Sequence, residues 1–205
     1  MIIIIDYELG NVKSVMNAFE YIGSNIILSR DPELISKASG IVLPGVGAFG
    51  EGMKRLKKYN LVNMIQKSVA KGTPILGICL GFQMLMNSSI EHEFNEGLSF
   101  LNHKVIRLPV NERLPHIGWS KVYSPSELHL KTNLLKGIEN EYFYFVHNYG
   151  VTIDSINEKY AFAKYGNLNF VALMEKKNIF GTQFHPEKSG EAGICLLKNF
   201  NNICS

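Results

Sequence analysis

The chain has 205 residues, 46% of them hydrophobic, and a formal net charge of +3. This length and composition describe one globular domain, residues 1–205, with enough core for a sheet covered on both faces. The small charge without a basic run argues against a nucleic-acid partner. The apolar start Met1-Ile2-Ile3-Ile4-Ile5 meets Asp6 too soon for a signal peptide or a membrane span.

In chain order, Ile2 to Ile5 reads as a buried strand. Val12, Val15, Met16, Phe19 and Ile22 recur at helical spacing over Asn11 to Ile22, and Gly23 can end that helix. Asn25 to Leu28 is a short strand, and Asp31-Pro32 has the form of an N-cap with proline in the first turn. Ile41 to Leu43 is a strand that runs into a glycine-rich loop. Leu61 to Lys71 is helical, and Pro74 to Ile78 is a strand. This alternation predicts a parallel sheet with crossover helices.

The second half changes character. His103 to Leu108, Lys121 to Tyr123, Tyr142 to Val146, Tyr160 to Tyr165, Phe170 to Glu175 and Ile179 to Phe184 read as strands. Lys176-Lys177-Asn178 is a hairpin turn. Ala192, Leu196, Phe200 and Ile203 mark a closing helix. The expected fold is α/β: an open mixed, mainly parallel sheet flanked by helices, with an antiparallel extension.

Chemistry concentrates in Gly77-Ile78-Cys79-Leu80-Gly81-Phe82-Gln83. A cysteine directly after a buried strand, with glycines two residues away on either side, is a nucleophile elbow. The helix N-terminus that follows favours a thiolate through its dipole and free amides. Phe184-His185-Pro186-Glu187 supplies a base and a carboxylate. Pro186 biases His185 toward an extended conformation, so that Glu187, two residues on, faces the same way and reaches the imidazole. Together these are the parts of a Cys-His-Glu triad.

The loop Pro44-Gly45-Val46-Gly47-Ala48-Phe49-Gly50, with three glycines in seven residues, lets main-chain amides face a cavity. With the amide of Leu80 it forms a candidate oxyanion hole. The other histidines, His92, His103, His116, His129 and His147, carry no metal-ligand spacing and read as scattered structural or surface residues. No metal site and no cofactor is expected. Three cysteines, Cys79, Cys195 and Cys204, without a secretory signal fit a reduced cytoplasmic protein.

These motifs, in this order, resemble the class I glutamine amidotransferases. Pro44 to Phe49, Pro115-His116-Ile117-Gly118-Trp119 and Tyr144-Phe145-Val146-His147-Asn148-Tyr149 narrow the resemblance to the glutaminase subunits of imidazole glycerol phosphate synthase, as do the opening Asp6-Tyr7, Gly10-Asn11 and the ending Gly181 to Gly190. It covers essentially the whole chain, with no separate synthase domain. The resemblance implies glutamine as substrate, hydrolysed to glutamate and ammonia. The ammonia would pass to a (β/α)8-barrel cyclase in a heterodimer serving histidine biosynthesis. The cyclase ligand would switch on the glutaminase, with Gly45-Val46-Gly47 as the switch element. Carried over by position, Gln83 and Glu91 hold the glutamine, Glu91 facing its α-ammonium. Asn148 and Tyr149 present backbone groups to its α-carboxylate and ammonium. Asn11, Trp119 and Lys188 meet the barrel partner.

Ser120 stands where that family usually has Asn. Ile90-Glu91-His92-Glu93-Phe94-Asn95-Glu96 and Asn11-Val12-Lys13-Ser14-Val15 lean toward a paralogous branch that supplies ammonia for bacterial surface sugars. These departures leave glutamine hydrolysis untouched and bear on the ammonia acceptor. The glutaminase of pyridoxal phosphate synthesis shares the triad but lacks the Pro115 to Trp119 and Tyr144 to Tyr149 segments. A γ-glutamyl peptide hydrolase would call for a longer, secreted chain, and a non-catalytic relative would not keep Cys79, His185 and Glu187 together.

Overall fold

The computed structural model describes residues 1–125, 131–153 and 157–205. Its centre is a nine-stranded sheet. The strands are β1 (Ile2–Ile5), β2 (Ile26–Ser29), β3 (Gly40–Leu43), β4 (Ile75–Ile78), β8 (His116–Tyr123), β9 (Tyr142–His147), β11 (Lys159–Tyr165), β12 (Leu168–Lys176) and β13 (Ile179–Thr182). Their spatial order is β2-β1-β3-β4-β13-β12-β11-β8-β9. β2, β1, β3, β4 and β13 are parallel to one another. The remaining pairings, from β13–β12 out to β8–β9, are antiparallel. The sheet is therefore the mixed one expected, with the antiparallel extension at one side.

β1 shows why the sequence folds this way. Ile2 and Ile4 belong to one apolar cluster, Ile3 and Ile5 to the other. A strand that is apolar at every position is one buried on both faces. On the first face lie α1 (Val12–Tyr21) and α6 (Gly190–Ile203), with Phe19, Leu196 and Phe200 in the core. On the second lie α2 (Pro32–Ser36), α3 (Phe49–Lys58), α4 (Leu61–Ala70) and α5 (Leu80–Met84). Asp31 caps α2 as expected, its carboxylate accepting from Glu33 N and Leu34 N.

Helix α3 is absent from the sequence reading, although Phe49, Met53 and Leu56 form its buried face. Gly50 and Gly52 weaken the helical signal. An added Cβ on Gly52 would stand 2.7 Å from Met84 Sδ, so that side chain would have to shift. β7 (Leu101–Arg107), the strand expected at His103 to Leu108, belongs to a small second sheet with β10 (Tyr149–Gly150), β5 (Met86–Ser89) and β6 (Asn95–Glu96), in the order β10-β7-β5-β6; the other three strands are absent from the sequence reading. Among the described residues no helix is long and apolar enough to cross a membrane.

Candidate active site

β1 has β2 on one side and β3 on the other, so the chain reverses direction across the sheet there. In open α/β sheets the ligand crevice lies beyond the carboxyl ends of the strands near such a reversal. The candidate residues sit there: the Pro44 loop after β3, Cys79 after β4, and Gln183 to His185 after β13. They surround a cavity of about 350 Å3 lined by Val46, Gly47, Cys79, Leu80, Gln83, Glu91, Val146, His147, Asn148, Tyr149 and His185, among others.

Cys79 links β4 to α5 at φ +53°, ψ −106°, a conformation that non-glycine residues rarely adopt. The neighbouring glycines make the turn possible. A Cβ on Gly81 would lie 1.8 Å from Leu43 O, and one on Gly77 would lie 2.7 Å from the Gly81 backbone. The turn is held by Cys79 N donating to Thr182 O at 2.7 Å. The thiol is 3.9 Å from Val146 O and accepts from Gln183 Nε2 at 3.7 Å.

His185 Nδ1 meets Glu187 Oε1 at 2.7 Å, and the two side chains are only 2% and 1% exposed. A carboxylate only accepts, so Nδ1 carries the proton and Nε2 faces the other way. Among the described residues Nε2 has no hydrogen-bond partner. Burial alone would lower the imidazole pKa. The hydrogen-bonded Glu187 carboxylate and the neighbouring Cys79 outweigh it and hold His185 well above the ordinary histidine range. No hydrogen bond between Cys79 Sγ and His185 Nε2 is closed in this geometry, so of these two influences the contact with Glu187 is the firm one. The route by which Glu187 arrives differs from the expectation. His185 is extended, at φ −101°, ψ 94°, but Pro186–Lys188 is a turn of 3-10 helix, and this turn brings the carboxylate back.

The glycine-rich loop packs onto the elbow. A Cβ on Gly45 would lie 2.5 Å from Tyr7 Oη and 2.8 Å from Leu80 Cβ. Tyr7 is buried and its hydroxyl donates to Pro44 O. Gly47 has φ +109° with open space around its Cα, while Val46 is 39% exposed at the cavity rim. Gly45, Val46, Gly47 and Leu80 are thus brought together beside Cys79.

Glu91 Oε2 accepts from Phe49 N at 2.7 Å. It fastens the junction of the loop and α3 to the segment after β5 and leaves its second oxygen for a ligand. Gln83 Nε2 donates to Tyr149 O at 2.9 Å and to Gln183 Oε1 at 3.1 Å. Both amide hydrogens are used, so Gln83 can only accept from a ligand, through Oε1. Leu108 N donates to Asn148 O, which makes that pair hydrogen-bonded in the β10–β7 ladder. By the alternation of an antiparallel ladder, Tyr149 opposite Arg107 turns its own N–H and C=O away from β7. The Tyr149 carbonyl accepts twice, from Gln83 Nε2 and His147 Nδ1, both at 2.9 Å. Its lone pairs are thereby committed, and the N–H is the Tyr149 backbone group left for a ligand.

Trp119, Tyr144 and Lys188 gather on one surface. Trp119 is 55% exposed and meets Tyr144 edge-on at 6.2 Å, while Lys188 Nζ lies 6.0 Å from the Tyr144 ring centroid. Asn11 precedes α1, which packs against the Pro186–Lys188 turn. Ile117, 61% exposed, continues the apolar face along β8.

The histidines are less scattered than the sequence implied. His116 and His147 are buried and bonded to each other, Nδ1 to Nε2, at 3.2 Å. His103 pairs with Glu158 at 3.0 Å, and His129 lies outside the described residues. Gln183, which bridges Gln83 and Cys79, is absent from the site read in the sequence. Its signal was its place between β13 and His185, where a polar side chain in an apolar run has a reason to be buried.

The chain belongs to the class I glutamine amidotransferases, whose family model matches residues 3–203. Within that class it is similar to proteins described as imidazole glycerol phosphate synthase subunit HisH. The one from Lactococcus lactis is 44% identical over 203 residues, covering 97% of this chain and 96% of that protein. The one from Aquifex aeolicus is 42% identical, covering 97% and 94%. A crystal structure of a glutamine amidotransferase superposes with a TM-score of 0.77 at 17% identity, covering 98% of each chain, which concerns the fold alone.

Proposed function

We propose that this chain is the glutaminase subunit of imidazole glycerol phosphate synthase, and that residues 1–205 form one glutaminase domain. The observation that carries the catalytic reading is the buried 2.7 Å contact between His185 Nδ1 and Glu187 Oε1, with Nε2 left for the cavity that holds Cys79. His185 Nε2 takes the Cys79 thiol proton, and the thiolate attacks the glutamine γ-carbonyl. Amides of Leu80 and of the Gly45-Val46-Gly47 loop stabilise the oxyanion. His185 then protonates the leaving ammonia, and a thioester remains on Cys79. Water activated by His185 releases glutamate and restores the thiol. Glu187 fixes the imidazole tautomer and favours its charged form.

Gln83 and Glu91 receive the amino-acid end of glutamine, with the Tyr149 N–H; the Asn148 carbonyl, expected beside it, already accepts from Leu108 N. The ammonia goes to a (β/α)8-barrel cyclase docked on Asn11, Trp119 and Lys188, in a heterodimer of histidine biosynthesis. The exposed Ile117–Trp119 face and the HisH relatives support this partner. Three free thiols, Cys79, Cys195 and Cys204, fit a cytoplasmic protein. The surface-sugar paralogue shares the hydrolysis and differs in the acceptor. Ser120 and the Ile90 to Glu96 segment speak for it, and the full-length similarity to HisH subunits speaks for the histidine pathway.

The test is glutamate release by the purified chain alone, with the cyclase, and with cyclase plus its ribonucleotide ligand. The expected result is weak turnover alone and strong turnover in the full mixture. No stimulation by the cyclase, with stimulation by a sugar-amidating partner, would transfer the assignment to the paralogue.

A further inference from the structure

His116 and His147 are Cα partners across β8 and β9, and their rings continue the pairing inward. Three contacts form a line: Ser120 Oγ to His116 Nε2 at 2.9 Å, His116 Nδ1 to His147 Nε2 at 3.2 Å, and His147 Nδ1 to Tyr149 O at 2.9 Å. A carbonyl oxygen only accepts, and with both rings neutral this decides the direction of each bond from Ser120 to Tyr149. His147 carries its proton on Nδ1, so its Nε2 accepts. His116 must then donate from Nδ1 and accept at Nε2, and the Ser120 hydroxyl is the donor that begins the chain. The line goes on past Tyr149. Its carbonyl also takes Gln83 Nε2, Gln83 donates to Gln183 Oε1, and Gln183 Nε2 donates to Cys79 Sγ.

We propose that His116 and His147 are positioning residues for glutamine hydrolysis: their hydrogen bonds run one way from Ser120 to the Tyr149 carbonyl, where they meet the opposed bond from Gln83, and so fix the Tyr149 peptide and, through Gln83 and Gln183, the Cys79 thiol. This rests on the reading of the cavity as a glutaminase site. Neither histidine touches the thiol. His116 is 3% exposed and stacks on Tyr165 and Phe145 at 4.2 and 5.1 Å, which fixes its ring plane. Burial pushes the two imidazoles down to about 4 and about 3, so both are neutral near pH 7, as the chain requires. Each neutral imidazole has one donor and one acceptor, and both are used. Removing one member leaves a buried nitrogen without a partner, which costs more than the bond itself contributed. The chain starts on β8, the strand whose outer face shows Ile117 and Trp119. A displacement of that strand is therefore transmitted to the peptide lining the cavity.

Two measurements on the full chain test this. The first is 15N NMR of the imidazoles in the unaltered protein. Both histidines are expected as neutral Nδ1–H tautomers, and an Nε2–H tautomer or a charged ring at pH 7 for either one overturns the proposal. The second is a cycle of His116→Phe, which keeps the stacked ring, with Ser120→Ala. It is read by the KM for glutamine in the presence of the cyclase and by the rate of Cys79 alkylation by iodoacetamide. His116→Phe is expected to raise KM about tenfold, the factor that 1.4 kcal/mol represents, and to change the alkylation rate. Ser120→Ala is expected to act alone but to add nothing to His116→Phe. KM and alkylation within twofold of the parent, or fully multiplicative effects, overturn it. If the unaltered chain does not hydrolyse glutamine, the glutaminase reading fails, while the tautomers and the alkylation cycle still decide the chain. If His116→Phe does not fold, the tautomers and Ser120→Ala decide.

Discussion

His185 is suspended from Tyr144. The His185 amide donates to the Tyr144 carbonyl at 2.9 Å, and Ser189 Oγ accepts from Tyr144 N at 3.0 Å while donating to His185 O at 2.6 Å. The same Tyr144 presents its ring to Trp119 and Lys188. The backbone of one residue thus holds the proposed base, and its side chain belongs to the proposed docking face.

Trp119→Ala is therefore expected to abolish most stimulation by the cyclase while leaving unstimulated turnover and the melting temperature nearly unchanged. Trp119 is more than half exposed, so its removal opens no cavity. Glutamate release with and without partner, together with a thermal melt, measures this. Loss of unstimulated turnover would show that the indole supports the site itself.

A glutamine-derived electrophile should label Cys79 and spare Cys204, whose thiol burial pushes up to about 12. Cys79→Ala should lower glutamine turnover by at least ~10³-fold, as for other nucleophile removals. Peptide mapping after labelling checks the first outcome. Modification at Cys195 or Cys204 in place of Cys79 would be inconsistent with the assignment.

Glu187→Gln keeps the side-chain shape but offers His185 Nδ1 an amide in place of a carboxylate. Turnover should fall about 10²–10⁴-fold through tautomer loss and a less basic imidazole, with a smaller change in KM. The double variant with His185→Ala should be no worse than His185→Ala alone. Additive losses would separate the two residues.

Gly81→Ala should destabilise the fold far beyond the ~1 kcal/mol typical of a point substitution, because its methyl would overlap Leu43 O. Gly23→Ala should cost only the left-handed backbone penalty of about 1–2 kcal/mol, since Gly23 has φ +75° and open space. Urea melts of both compare a steric with a conformational cost. Equal effects would mean that the elbow relaxes.

Acid should weaken the fold through His116 and His147. Their folded pKa values, about 4 and about 3, lie below the unfolded value near 6.5. Between these limits the unfolded chain binds the extra protons, so stability falls as pH drops below ~6.5, by up to ~1.4 kcal/mol per pH unit for each histidine. His185 has the opposite sign. Its raised folded pKa gives stability fully present below ~6.5 and lost above it, so it does not mask this window. Unfolding midpoints at pH 7 and pH 5 should differ less in His116→Phe than in the parent. Identical shifts would show that the ring is not neutral when buried.

The sequence by itself determined the elements whose signal is local. The Ile2 to Ile5 run, the Asp31-Pro32 cap and the glycines around Cys79 each state a constraint that neighbouring residues impose. It also announced the proposed nucleophile, base and carboxylate, because strained turns and fixed spacings leave few other uses for those residues. Helix α3 is hidden in the sequence because Gly50 and Gly52 interrupt its helical preference, while the buried face that holds it is made by contacts with other elements. Only the tertiary structure decided that His116 and His147 meet, that Gln183 reaches the thiol, and that the Tyr149 carbonyl is fully engaged. Those facts depend on strand order and register across 31 to 104 residues of chain. A hydrogen bond's direction is settled only when both of its ends are known.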